Sequence, residues 1–310
     1  TRVAVDSRLA STENRSPVED LSSCLVYPWT EPLGDGTEDG HMGLDAFVPC
    51  RCWKDGRLST PPPVDPSLIR MDEEEGFIDL VMPYEGHEDL HHRMDDWRAN
   101  AACPHEEMEL VSDRISNWSG VGWFRKAIDE AGEERFPVLV SRLPRTDGGF
   151  LEPEEAVAML SELRDLAEST DLGTRTLLVG EGSDRPIFHY PGSGRGVFGL
   201  GACSRFRAGL DPEGFFVKDM EADPPVELFR SSRFAQEEAG EGEVRFTALD
   251  HDGHLTVPWP YLLGESGRRP PKVLRGRETA LTVEDVRYIV HPLITVCQAA
   301  VDTNARAHWC

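Results

Sequence analysis

The sequence predicts an α+β protein, with a helical middle segment and an antiparallel β-rich C-terminal half closed by a long C-terminal helix. Three observations carry this. Apolar residues recur at helical spacing between His87 and Ser169, and after Gly173 they fall into short runs separated by turn residues. Helical spacing then returns after Thr282. Helices and strands segregated along a chain indicate α+β rather than α/β.

In chain order, residues 1–41 read as a disordered N-terminal extension. They carry three arginines against eight acids, and Thr30 to Gly40 has too little apolar surface to offset the entropy of ordering. Composition changes abruptly at Met42, which reads as the natural start. Leu44–Cys52 is predicted as a strand, followed by a turn at Lys54-Asp55-Gly56. Leu68–Met71 and Phe77–Met82 form a hairpin around the acidic turn Asp72–Gly76. Helices are predicted over His87–Ala101 (Leu90, Met94, Trp97), over Ser119–Ala131 and around Phe136–Leu143. The clearest runs from Glu152 to Ser169, with Pro153 at the first helical position and Ala156, Met159, Leu160, Leu163 and Leu166 in one stripe.

Seven strands are predicted next: Thr174–Val179, Pro186–Tyr190, Gly196–Phe206, Phe215–Lys218, Val226–Phe229, Val244–Leu249 and His254–Val257. A last helix starts at Thr282, with Asp285 completing a capping box and Pro292 expected to kink it. The grouping is 42–172 (strand, hairpin and helices) and 173–310 (β-rich with the last helix), and 42–310 can form one domain.

The formal charge is 32 − 56 = −24. Such an excess of acid excludes nucleic-acid binding and docking on anionic membranes, both of which need surplus Lys and Arg. It suits a basic protein partner. No stretch supplies the roughly 20 apolar residues of a membrane span, since Tyr288–Val301 is interrupted by His291, Pro292 and Gln298. No signal peptide is visible, and seven scattered cysteines read as reduced thiols in a cytoplasm.

Two metal-ligand patterns stand out. Cys50-Arg51-Cys52 would lie on a strand, both thiols on one face, and Cys103-Pro104-His105 follows the His87 helix. Three thiols and an imidazole make an acceptable tetrahedral Zn²⁺ set, which would be structural; ordinary buried thiols are the other reading. His87-Glu88-Asp89-Leu90-His91 fits H-E-x-x-H, in which His87 and His91 hold Zn²⁺ and Glu88 acts on a metal-bound water. Against it, no apolar turn precedes His87, and Asp89 is charged. Its other reading is a solvated first helical turn.

The remaining motifs read as structural. Gly192–Gly196 lacks the Lys-Ser/Thr of a phosphate loop and reads as a hairpin loop. Asp250-His251-Asp252-Gly253 reads as a turn between strands, and the acid runs Asp72–Glu75 and Glu237–Glu243 as solvated faces.

From Met42 on, the chain resembles a group of uncharacterised proteins from high-GC bacteria. The resemblance rests on Met42-Gly43-Leu44-Asp45, Cys50-x-Cys52, Cys103-x-His105, Ser116-Asn117-Trp118 and Trp309-Cys310. It implies no activity, and it favours the cysteine set over the helix motif. The expected role is a non-catalytic binding protein of inhibitor or immunity type; the alternative is a zinc-dependent hydrolase.

Overall fold

A computed structural model describes residues 43–72, 77–146, 148–191, 196–199, 205–259, 261–264 and 267–310. The extension expected over 1–41, the start at Met42, residues 73–76 of the acidic turn and residues 192–195 of the glycine loop lie outside these residues.

The chain enters through β1 (Gly43–Pro49), whose Leu44, Ala46 and Val48 are fully buried. It then leaves on an excursion containing β2 (Ile69–Asp72), β3 (Phe77–Leu80) and α1 (Glu88–Asn100), before returning as β4 (Glu109–Asn117). β4 pairs antiparallel with β1, so the excursion is inserted between two neighbouring strands. Next come α2 (Trp118–Gly132), α3 (Pro137–Arg142), β5 (Phe150–Leu151) and α4 (Pro153–Glu168).

Local chemistry sets the ends of these helices. Asn117 caps α2, its side-chain oxygen accepting the Gly120 N–H at 2.7 Å. The Glu162 carboxylate of α4 accepts the otherwise orphaned N–H groups of Val138 and Leu139 at the start of α3, at 2.9 and 2.8 Å. Pro153 opens α4 as expected, behind a capping box between Glu152 and Glu155.

The β-rich segment comprises β6 (Thr174–Gly180), β7 (Pro186–Pro191), β8 (Gly196–Gly199), β9 (Phe206–Asp211), β10 (Gly214–Asp219), β11 (Val226–Ser231), β12 (Arg233–Gly240), β13 (Glu243–Ala248), β14 (His254–Pro258) and β15 (Val273–Ala280). They form a six-stranded sheet, β14-β13-β12-β15-β6-β7, and a four-stranded sheet, β11-β10-β9-β8. Phe215, Phe229, Phe234 and Phe246 fill the core of this half together with Trp259. Gly214 is required at its turn: it sits at φ +122, and a Cβ there would lie 2.5 Å from the Ser231 carbonyl oxygen.

The long C-terminal helix α5 (Arg287–Thr303) follows the strands and runs through Pro292. The Thr282–Asp285 capping box forms on a 3-10 turn that precedes it. Its apolar face (Ile289, Val290, Leu293, Val296, Cys297) is buried in the core built by β1 and α2–α4. β16 (Ala307–Trp309) then inserts beside β1, completing a sheet of order β4-β1-β16-β5. No helix among the described residues is long and apolar enough to cross a membrane.

Several expectations need correction. The strand predicted to Cys52 ends at Pro49, because the chain turns over residues 51–56. Of the strand predicted over Gly196–Phe206, residues 200–204 lie outside the described residues; β8 and β9 on either side pair antiparallel with each other, so they are two strands and not one. β4, β12, β15 and the short β5 and β16 carry no sequence prediction, and β9 carries one only at Phe206. In β4 only Ile115 is buried, and in β15 only Leu274, so neither shows an apolar alternation. Glu237 and Glu238 are exposed as expected, but on β12 itself.

Candidate metal centre

The excursion between β1 and β4 is a small lobe with its own core: Ile78, Leu80, Met94, Trp97, Ala102 and Met108 are buried together with Cys50 and Cys52. Trp97 fixes α1 against the proline loop by donating its indole N–H to the Thr60 carbonyl at 3.0 Å. In this last turn of α1 the Trp97 carbonyl accepts the N–H groups of Ala101 and Ala102, turning the chain toward Cys103. Ser59 N–H ties the outgoing loop to that turn through the Ala102 carbonyl at 2.8 Å.

The neck of the lobe is where the two sequence motifs meet. Pro49 pairs with Glu109, and Cys50 N–H extends the ladder by donating to the Met108 carbonyl at 2.7 Å. Beyond that point the outgoing strand turns, with Asp55 N–H donating to Arg51 O and Arg57 N–H to Cys52 O, both at 2.8 Å. The two thiols therefore converge through a turn and not through the pleat of a strand. On the returning side, Glu107 and Met108 adopt left-handed conformations (φ 49 and 60), which swing the chain from His105 into β4 and bury the Met108 side chain. Non-glycine residues in this region cost roughly 1–3 kcal/mol each, so the surrounding contacts must hold them there.

Cys50 Sγ and Cys103 Sγ lie 3.6 Å apart, Cys52 Sγ lies 3.5 Å from His105 Nδ1, and Cys103 Sγ lies 3.6 Å from the same nitrogen. All four donor atoms fall within 4.8 Å of one another, and the group could hold a metal ion. A tetrahedron with metal–sulfur bonds of about 2.3 Å and metal–nitrogen bonds of about 2.0 Å has edges of about 3.5–3.8 Å, and three of its six edges are matched by the separations of 3.6, 3.5 and 3.6 Å. Cys50 and Cys52 are buried, while Cys103 and His105 are half-buried. No known family, curated protein or solved structure matches this chain.

Burial pushes the Cys50 thiol up to about 12, against the partial relief given by the Cys52 backbone N–H facing it. Burial likewise raises Cys52, with the nearby Arg57 guanidinium opposing. Without a cation the two thiols are protonated, so a metal that binds here must displace their protons.

Around the helix motif no group of three or more donor side chains forms among the described residues. His87 is the exposed residue preceding α1, and the Glu88 carboxylate accepts the Gly86 N–H at 2.9 Å. His91 donates from Nε2 to the Met82 carbonyl at 3.2 Å, and its ring packs on Tyr84. Among the described residues, the cysteine–histidine set is the one group of three or more His, Cys, Asp and Glu side chains whose donor atoms converge.

The Asp250 turn is structural in detail. Although burial works against it, the Asp250 carboxyl is held well below the usual carboxylate range by hydrogen bonds from Ser232, Ser231 and His251. Ser231 Oγ donates at 2.7 Å and Ser232 N–H at 2.7 Å, tying the β13–β14 turn to the corner between β11 and β12.

Proposed function

We propose that Cys50, Cys52, Cys103 and His105 bind one Zn²⁺ as a structural ion, within a non-catalytic, acidic binding protein whose partner is basic. The observation that carries this reading is the donor set. Three thiolates and an imidazole fill all four positions of a tetrahedral ion, leaving none for a reactive water. Soft thiolates select zinc over magnesium or calcium, and a reducing cytoplasm would keep them available. The formal charge of −24 supports a basic partner, because a field of one sign speeds encounter with its opposite and repels its like. An inhibitor or immunity-type role needs this field and a rigid surface, and no reaction chemistry.

Elemental analysis of protein purified without added metal tests the ion, with one zinc per chain expected. Capture of a basic protein at low salt and its release at high salt tests the partner. Capture indifferent to salt, or none, counts against it. Peptidase activity abolished by both a chelator and Glu88→Gln would overturn the non-catalytic reading.

A further inference from the structure

We infer that Cys50 and Cys103 are a disulfide-forming pair, so that the neck of the lobe can be closed either by zinc or, after oxidation, by a sulfur–sulfur bond. The inference rests on the zinc reading above. It starts from an asymmetry among the four ligands. Cys50 and Cys103 face each other across the neck, 53 residues apart in sequence, with sulfurs 3.6 Å apart. Cys52 and Cys103 both lie beside His105 Nδ1, at 3.5 and 3.6 Å, whereas the close partner of Cys50 is the Cys103 sulfur. A bond between Cys50 and Cys103 needs the sulfurs to close to about 2.05 Å, within reach of small side-chain rotations. A bond between Cys50 and Cys52 would close a tight ring within one turn.

Exposure sets the order of events. Cys103 is half-buried and Cys50 lies behind it at 8% exposure, so a small oxidant such as hydrogen peroxide meets Cys103 first. The Cys103 thiolate attacks one peroxide oxygen, the O–O bond breaks, hydroxide leaves, and Cys103 becomes a sulfenic acid. The Cys50 thiolate then attacks the sulfenic sulfur, the S–S bond forms, and a second hydroxide leaves. In sum, two thiolates give two electrons to one peroxide, which becomes two hydroxides. Zinc keeps only Cys52 and His105 as ligands and is released.

The consequence is particular to this neck. In a zinc site whose thiols lie on one strand, oxidation removes the staple. Here the new bond joins the same two ends of the excursion that the metal joined, so the lobe stays clamped while the ion is expelled.

The test uses the full-length, zinc-loaded chain and hydrogen peroxide near one equivalent. Released zinc is read with a chromogenic chelator, linkage by peptide mapping after alkylation, and stability by thermal midpoint. The expected result is loss of one zinc per chain, a dominant Cys50–Cys103 cross-linked peptide, and a midpoint within a few degrees of the zinc form. That midpoint should lie clearly above the chelator-stripped, reduced chain, and dithiothreitol with zinc should restore the starting state. Because Cys50→Ser may fail to fold, Cys52→Ser serves beside it: it loses a ligand but keeps the pair, and peroxide should raise its midpoint. Three results would overturn the pair while leaving the zinc reading intact: zinc retained, Cys103 over-oxidised or joined elsewhere, or a midpoint falling to that of the stripped chain. A chain with no zinc before peroxide is added defeats both.

Discussion

The β-rich half and the lobe at the neck bury their apolar residues in different ways. In the β-rich half Phe215 stacks on Phe234 with ring centroids 4.5 Å apart, and Phe246 packs on Phe215 at 5.3 Å and on Trp259 at 5.6 Å. Each such ring removes a large area from water, and two sheets enclose the cluster. The lobe has one two-stranded hairpin and one helix, and two of its eight buried core residues are the cysteines themselves. An isolated hairpin is marginal in water. Where aromatic area is plentiful the fold needs no ligand; where it is scarce, four donors stand at the point where the chain leaves and returns.

The largest expected effect follows from that contrast. Chelation should unfold the lobe at a local cost of several kcal/mol and leave the β-rich half intact. Hydrogen exchange checks this: protection should collapse over Phe77–Leu80 and Glu88–Asn100 while Phe215, Phe234 and Phe246 stay protected. Binding releases thiol protons, so zinc affinity should rise with pH and weaken in acid. A titration with competing chelator at two pH values reads the sign.

Next in size is the converse. Phe246→Ala should cost about 3–5 kcal/mol of global stability without changing zinc content, as denaturant melts and elemental analysis would show. If zinc is lost with the ring, the two regions are not independent.

A smaller effect belongs to the seam between the helical core and the β-rich half. His189 on β7 packs with its ring tilted against Trp123 of α2, centroids 5.2 Å apart, and burial, aided by Arg175, lowers its pKa from 6.5 to about 4. The unfolded chain therefore takes up this proton before the folded one does, and stability should fall as pH drops from about 6.5 toward 4. Urea midpoints at pH 7 and 5 should differ less in His189→Phe than in the parent chain. The smallest effect is His87→Ala, which should leave zinc content unchanged and stability within about 0.5 kcal/mol. A zinc-free His87→Ala protein would move the metal to the helix motif.

The four ligands were legible because each pair sits in a short pattern, Cys50-x-Cys52 and Cys103-x-His105. How they meet was not. Their convergence depends on β1 pairing with β4, and β4 is nearly silent in sequence, because eight of its nine residues are not buried and apolar and polar residues fall on both its exposed and its partly covered positions. The strongly periodic α4 could be read almost to the residue, its stripe being wide and its cap explicit. α5 begins at Arg287, not at Thr282 as expected, because the capping box closes a 3-10 turn before the helix starts. β15 escaped because Arg275, Gly276, Arg277 and Glu278 look like loop, although Gly276 must let its N–H reach the Ser232 carbonyl at 2.8 Å.

The insertion of β16 beside β1 has a consequence for synthesis. β1 is among the first described segments to leave the ribosome, and β4 can cover one of its edges early. Its other edge must wait for Ala307–Trp309, some 260 residues later, including the backbone pair in which Asp45 and Cys310 exchange hydrogen bonds at 2.7 and 3.0 Å. The buried face of α5 arrives equally late. During elongation the half-built sheet therefore presents an open strand edge and an uncovered apolar face, the condition under which nascent chains associate wrongly or recruit chaperones. Most strands of the β-rich half pair with near neighbours in sequence, and its last long-range pair, β6 with β15, closes before α5 and β16 are made, so this half can close first while the earlier-made core waits for the last.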